Sequence, residues 1–265
     1  MSCAGCTGSS SAVRRSGTTT AAHSPILEDG RDRMRLAIVG NGRMGRALAE
    51  LARERGHVVQ ALIGREENPG GAALTPERLA GVDAALEFTR PDAVVANLER
   101  LIEAGIPTVT GTTGWSAELP RIARLVETRR GALLHAANFS VGVHLFLRAA
   151  RDLAARFAGR AEFESFILEE HHAAKRDAPS GTAAALRAGL READPRREFP
   201  VTSLRAGTIP GTHVLTYDGP HESVTLSHVA RSRRGFAAGA LAAAEWLPGR
   251  PGTHEFEAML FGGAG

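Results

Sequence analysis

Sulfur chemistry is almost absent from this sequence. Of its 265 residues two are cysteines, and both stand at the start, as Cys3 and Cys6. The body downstream has no thiol for a disulfide, a metal site or a nucleophile. A C-x-x-C pair can bind metal or do redox chemistry, but structural zinc needs four ligands and a redox pair needs a thioredoxin-like setting, so the pair reads as inert. Aromatic residues make up 5% of the chain and Tyr217 is its one tyrosine, which argues against stacking platforms for single-stranded nucleic acid. No apolar run reaches the roughly 18 residues of a membrane span. Charge of one sign is lacking too: 32 basic residues stand against 29 acidic ones, a net +3. A soluble, cytoplasmic protein is expected, with neither a membrane nor a nucleic-acid partner. Residues 1–33 are rich in Ser, Thr and Gly, hold no acidic residue before Glu28, and lack the apolar core of a secretory signal. They read as a disordered leader, either a transit-like segment or an upstream extension, since Met34 directly precedes the first strand.

What is present is a core-forming composition, 43% hydrophobic, at a length where one core gives way to two domains. RLAIVGNGRMGRALAELARERG starts with an apolar strand from Leu36 to Val39. It continues through G-x-G-x-x-G (Gly40, Gly42, Gly45) into a helical period that ends at Gly56. Glycines there allow a tight turn, close backbone approach to a pyrophosphate and tight helix-on-strand packing, with the helix N-terminus facing the anion. Dinucleotide binding and an ordinary strand–helix turn are the two readings. A second strand, HVVQALIG, ends at Gly64, where NAD-selective domains carry an acid, and Arg65 beside it suits a 2′-phosphate or is a solvated loop residue. Strands at 83–88, 107–111 and 132–137 then alternate with helices near 92–104 and 117–129, the rhythm of a Rossmann-type doubly wound parallel sheet. FTRP, GTTGW and AANFS leave the carboxyl ends of these strands, where such sheets bind ligands.

Beyond residue 140 the rhythm changes to a long helix at 141–157, a strand EFESFILEE, and strands near 199–206, 213–218 and 222–229 that read as a meander. This is a second, α+β domain, followed by a last amphipathic helix, RGFAAGALAAAEWL. At its centre, EEHHAAKRDAPSGTA (169–183) crowds His171, His172, Lys175 and Arg176 ahead of Ser180, placed as a helix N-cap. Outward-pointing amides and four cationic or titratable side chains suit a small carboxylate-bearing substrate. A histidine can move the proton near neutral pH. A solvated charged loop is the bland alternative.

Taken together, GNGRMG, EFTRP, GTTGW, AANFSVGV, the E-x-HH-x-x-K-x-DAPSGTA block, RAGTIPGTH, ESVTLSH and SRRGFAAGA resemble the signature blocks of the 4-hydroxy-tetrahydrodipicolinate reductase (dihydrodipicolinate reductase) family, over about residues 35–252. The resemblance implies a dinucleotide-binding domain at 34–138 plus 235–265, and a substrate and oligomerisation domain at 139–234. It implies a homotetramer reducing a small dicarboxylate of the diaminopimelate and lysine pathway with NADPH or NADH. His171 would donate or accept the proton with Lys175 as partner, no metal taking part; His172, Ser180, Gly181, Thr182 and Arg233 would hold substrate carboxylates. Gly40, Asn41, Gly42, Arg43, Met44, Gly45, Arg65, Phe88, Gly111, Thr112, Thr113, Ala136, Ala137, Asn138 and Phe139 would hold the cofactor. Three departures stand out: Glu87 in place of an aspartate, as a longer side chain at the cofactor site, Gly64 in place of a frequent acid, and the tail THEFEAML. A reductase of another imine acid, or a nicotinamide-sensing binding protein, would share most of these blocks; retention of both His171 and Lys175 favours catalysis.

Overall fold

A computed structural model describes residues 33–262. Cys3, Cys6 and the leader through residue 32 lie outside the described residues. The first half alternates as expected: β1 (Arg35–Val39), α1 (Arg43–Glu54), β2 (Val58–Ile63), the short α2 (Pro76–Leu79), β3 (Ala84–Glu87), α3 (Val94–Glu103), β4 (Thr108–Thr110), α4 (Leu119–Arg129) and β5 (Ala132–His135). The second half holds α5 (Val141–Phe157), β6 (Glu164–His171), α6 (Gly181–Ala193), β7 (Val201–Arg205), β8 (Thr212–Asp218), β9 (Ser223–Val229), α7 (Arg234–Trp246), β10 (Gly252–Glu255) and α8 (Phe256–Phe261).

The first sheet runs β10-β5-β4-β3-β1-β2 with every pair parallel. Its strands read as unbroken apolar runs because both faces are covered. Leu36, Ile38 and Leu134 pack with Leu48 of α1 and the alanines of α7 on one side, while Leu133 packs with Leu98, Ile122 and Val126 of α3 and α4 on the other. β10 and α8 were not expected from sequence. The tail that looked atypical supplies the sheet's edge strand, paired along β5, and buries Phe256.

The second sheet is mixed, in the order β7-β6-β8-β9. The expected meander is corrected here: β8 and β9 form an antiparallel hairpin, but β7 pairs parallel to β6 on the far side. The crossover through α6 explains this, since a strand–helix–strand connection returns the chain parallel. α5 and α6 cover one face, where Phe146, Leu186, Leu190, Ile167, Leu215 and Tyr217 form the core.

Candidate active site

The glycine loop follows steric demand. A Cβ on Gly40 (φ +108) would stand 2.2 Å from the Phe88 carbonyl oxygen, and one on Gly45 would stand 1.7 Å from the Gly40 oxygen. Both positions are closed to any side chain. Gly42, the N-cap of α1, has nothing within 4 Å of its Cβ position, so the amides at the start of α1 open outward. Arg43 and Met44 line the cavity there. The Asn41 amide nitrogen occupies the space a side chain at 64 would need, 2.6 Å from that Cβ position. A side chain at 64 would have to displace the Asn41 amide. Arg65 is exposed and outside the cavity lining, whereas Glu67 Oε1 accepts from the Gly64 amide at 2.7 Å and its other oxygen from Arg78 at 3.0 Å.

The next two loops are tied to each other. Phe88 lies so close over Gly111 that a Cβ there would sit 2.1 Å from its ring. Thr112 accepts from the Thr89 amide at 2.8 Å, and the Trp115 indole donates to the Thr112 carbonyl at 2.7 Å. Phe88, Gly111, Thr112, Thr113, Ala137, Asn138 and Phe139 all line the cavity; Ala136, half-buried, does not. Phe139 is only marginally part of that wall, being 2% exposed and packed on Phe88 and Phe256. Glu87 does not reach into the cofactor site at all. It is fully buried beneath the loops, where Thr89, Thr110 (2.7 Å) and Asn97 (3.2 Å) donate to it. The longer acid fastens the loop after β3 to α3 and to the end of β4.

Opposite this edge the second domain contributes His172, Thr208, Pro210, Ser232 and Arg233, completing a cavity of about 930 Å³, of a size suited to a cofactor and a small substrate. Of these only His172 and Arg233 were singled out from sequence; Thr208 and Pro210 lie in the block RAGTIPGTH without chemistry to mark them. His171, Lys175, Ser180, Gly181 and Thr182 stand beside the cavity rather than in its lining. Thr182 touches Asn138 at 3.5 Å, which joins the helix mouth to the nucleotide side. Ser180 is the N-cap expected: its hydroxyl accepts from the Ala183 amide at 3.2 Å. Ser180 is 2% exposed and its hydroxyl is also bonded to His213 at 3.2 Å, so the serine side chain is engaged within the protein. Lys175 Nζ is held by Asp177 Oδ1 at 2.8 Å.

Beneath this mouth lies a cluster that sequence reasoning passed over. Glu169, fully buried, accepts at Oε1 from the Ser180 amide (2.9 Å), Ser203 (2.6 Å) and Arg205 (2.7 Å). Burial raises its pKa, but these donors outweigh it and hold the carboxyl at about 2. His171 is lowered, by burial first, with Glu169 opposing. His213 is pushed down to about 4, again by burial first and then by His171.

A cavity so placed belongs to the class of α/β oxidoreductases that lay a dinucleotide across the carboxyl edge of a parallel sheet and bring substrate to it from a second domain. The chain belongs to the dihydrodipicolinate reductase family: the model of that family's N-terminus matches residues 34–139 and that of its C-terminus residues 142–260. It is 32% identical to a 4-hydroxy-tetrahydrodipicolinate reductase of Christiangramia forsetii, covering 86% of this chain and 98% of the relative. It is 36% identical to one of Natronomonas pharaonis, covering 84% and 99%. Among solved structures, a dipicolinate-bound dihydrodipicolinate reductase from Paenisporosarcina sp. TG-14 superposes with a TM-score of 0.70 at 22% identity, over 84% of this chain and 98% of that one. Aspartate semialdehyde dehydrogenase II of Vibrio cholerae, at 14% identity and a TM-score of 0.51 over 81% and 98%, shares the fold alone.

Proposed function

We propose that this chain reduces 4-hydroxy-tetrahydrodipicolinate to tetrahydrodipicolinate with NADPH or NADH, in the diaminopimelate and lysine pathway. The observation that carries the reading is the meeting, in one cavity, of an open helix N-terminus behind the glycine loop with His172 and Arg233 from the second domain. A dinucleotide fits the residues present: Gly40, Gly42 and Gly45 leave backbone where any side chain would collide or block, and Arg43, Met44, Phe88, Gly111 to Thr113 and Ala137 to Phe139 line that edge, with Asn41 and Ala136 adjoining it in the chain. Bound reduced nicotinamide supplies a hydride. Replacing the substrate's hydroxyl by hydrogen releases water and takes up one proton, so the protein must hold a proton source. His171 is that group, with Lys175 beside it, while His172, Arg233 and the amides of Gly181 and Thr182 hold the two carboxylates. The domain limits we propose are 34–138 with 235–265, and 139–234; the division of the strands into two sheets supports two domains.

The assembly we propose is a homotetramer formed through the second sheet's uncovered face, where Phe166, Leu204 and Val229 are exposed. No described helix is long and apolar enough to cross a membrane. The location we propose is the cytoplasm. The test of the activity is loss of nicotinamide absorbance with enzymatically prepared substrate and each cofactor in turn. Substrate-dependent oxidation is expected; none above the substrate-free rate with either cofactor overturns the reading.

A further inference from the structure

The cluster around Glu169 is built by strand register. Residues two apart on β6 share a face, so Glu169 lies beside His171, and pairing sets Ser203 of β7 and His213 of β8 opposite Glu169 and Arg205 opposite His171. The carboxylate is loaded unevenly. Oε1 takes its three donors, whereas Oε2 has no hydrogen-bond partner, and neither has His171 Nδ1. These two atoms face each other at 3.1 Å, off the line of a formed hydrogen bond, and a small turn of the ring aligns them.

We propose that Glu169 is the positioning residue of His171: Oε2 accepts from Nδ1–H, fixes the tautomer in which Nε2 is the reacting nitrogen, and keeps a negative charge beside the ring when it is protonated. The proposal rests on the reading of His171 given above. Nε2 points the right way for this. It lies 3.0 Å from the Cβ position of Gly211, so the missing side chain leaves room in front of it, and the preceding residue, Pro210, lines the cavity. Because Oε1 is tied to β7 and to the start of α6, the carboxylate cannot rotate away, and the same group that orients His171 fixes the helix mouth intended for a carboxylate.

The charges around His171 agree. Glu169 and Asp177 raise its affinity for a proton, while Lys175 and Arg205 lower it. His213 stands edge-on at 5.2 Å between ring centroids, and, held to about 4, stays neutral where His171 works. Glu169, His171 and His213 also bring one ligand atom each to within 4.8 Å of one another. Two cations, Arg205 and Lys175, already act on them, so a divalent ion would enter against positive charge, and hydrogen bonding is the better use of the site.

Glu169→Gln tests the idea with almost no change of shape. Three donors hold the amide oxygen at the Oε1 place, turning the NH₂ toward Nδ1; Nδ1 must then accept, and Nε2 is left protonated without an anion behind it. Turnover should fall roughly 10²-fold or more, the pH-profile limb due to His171 should move to lower pH, and the cofactor KM should change less than about twofold. Glu169→Gln added to His171→Ala should cost nothing further, since groups acting as a unit are not additive. Nitrogen NMR of wild-type His171 should show a protonated Nδ1. An unchanged turnover and pH profile in Glu169→Gln, additive losses in the double variant, or an Nε2–H tautomer in the wild type would each overturn the proposal while leaving the reductase reading intact. Wild-type turnover in His171→Ala would instead remove His171 from the reaction, and this proposal with it.

Discussion

His213 shows how one buried side chain ties stability to pH. Its folded pKa lies at about 4 against an ordinary 6.5. Between those values the unfolded chain takes the proton first, so stability falls as pH falls through that window and nothing is lost above it. Burial pushes His171 and His228 in the same direction. Glu169, depressed to about 2 from 4.5, adds a second window below pH 4.5, where its contribution is lost on acidification. Melting temperature should therefore decline steadily from pH 7 to 4, and His213→Gln, though less stable overall, should show a flatter curve between pH 6.5 and 4; an unchanged slope in a series of thermal melts would contradict the account. Arg65 raises a different question. Exposed and outside the cavity lining, it can still swing to a 2′-phosphate, because Asn41 fills the place of an acid at 64 and Glu67 is drawn off to the Gly64 amide and Arg78. Arg65→Ala should weaken NADPH relative to NADH by roughly ten- to hundredfold, the scale of a charge-assisted hydrogen bond. Equal effects on both cofactors in steady-state kinetics would make it a surface arginine. Arg233 came from the family resemblance alone, whereas the place of His172 at the cavity and the Ser180 cap were legible because their types and spacing carry chemistry. Glu169 was not, because its meaning lies in the register of three strands, and Glu87 was misplaced because sequence does not show which way a strand-end carboxylate turns.

Among the elements, α7 is the one whose composition explains its place. Ala237, Ala240, Leu241, Ala242, Ala243 and Ala244 are all buried, and small residues let the helix lie close against α1 and the sheet. Gly239 is the tightest point: a Cβ there would stand 1.9 Å from the Phe139 carbonyl oxygen, which is backbone and cannot yield cheaply. Gly239→Ala should destabilise by about 1–3 kcal/mol, as overpacking does, and should disturb the AANFS loop that helps form the cavity. Gly189, within α6 and with nothing within 4 Å of its Cβ position, should gain about 0.5–1 kcal/mol as alanine. Denaturant unfolding of the two variants measures both, and equal signs would refute the packing argument. Element type was readable in long segments such as α5, which runs over Val141–Phe157 as expected and begins after a Ser140 cap that the sequence reading did not single out. Pairing was not readable: strands 199–206, 213–218 and 222–229 look alike in sequence whichever neighbour they take, and only the crossover through α6 sends β7 to the far side of β6. β10 escaped notice because GTHE is a four-residue edge strand without alternation.

For the whole molecule, the second sheet divides its labour by face. Inward-facing residues build the core and the Glu169 cluster, while alternation sends Phe166 and Leu168 of β6, Leu204 of β7, Val214 of β8 and Val229 of β9 to the other side. Among the described residues no helix covers that side, and Phe166, Leu204 and Val229 are 43%, 44% and 59% exposed. Exposed apolar side chains on an uncovered sheet face are what a subunit interface can bury, and a stable one buries roughly 1,200–2,000 Å² in total. Leu204→Asp places a charge on that face, on the edge strand β7 and outside the cavity lining. Light scattering after size exclusion should show the wild type as a tetramer and Leu204→Asp as a smaller species. Because each nucleotide edge is built within one chain, the variant should still bind NAD(P)H with an affinity within about threefold of wild type. A wild type that is monomeric at micromolar concentration, or a variant that assembles unchanged, would remove this face as the interface; loss of nucleotide binding along with assembly would mean that contacts between subunits hold the cavity in shape.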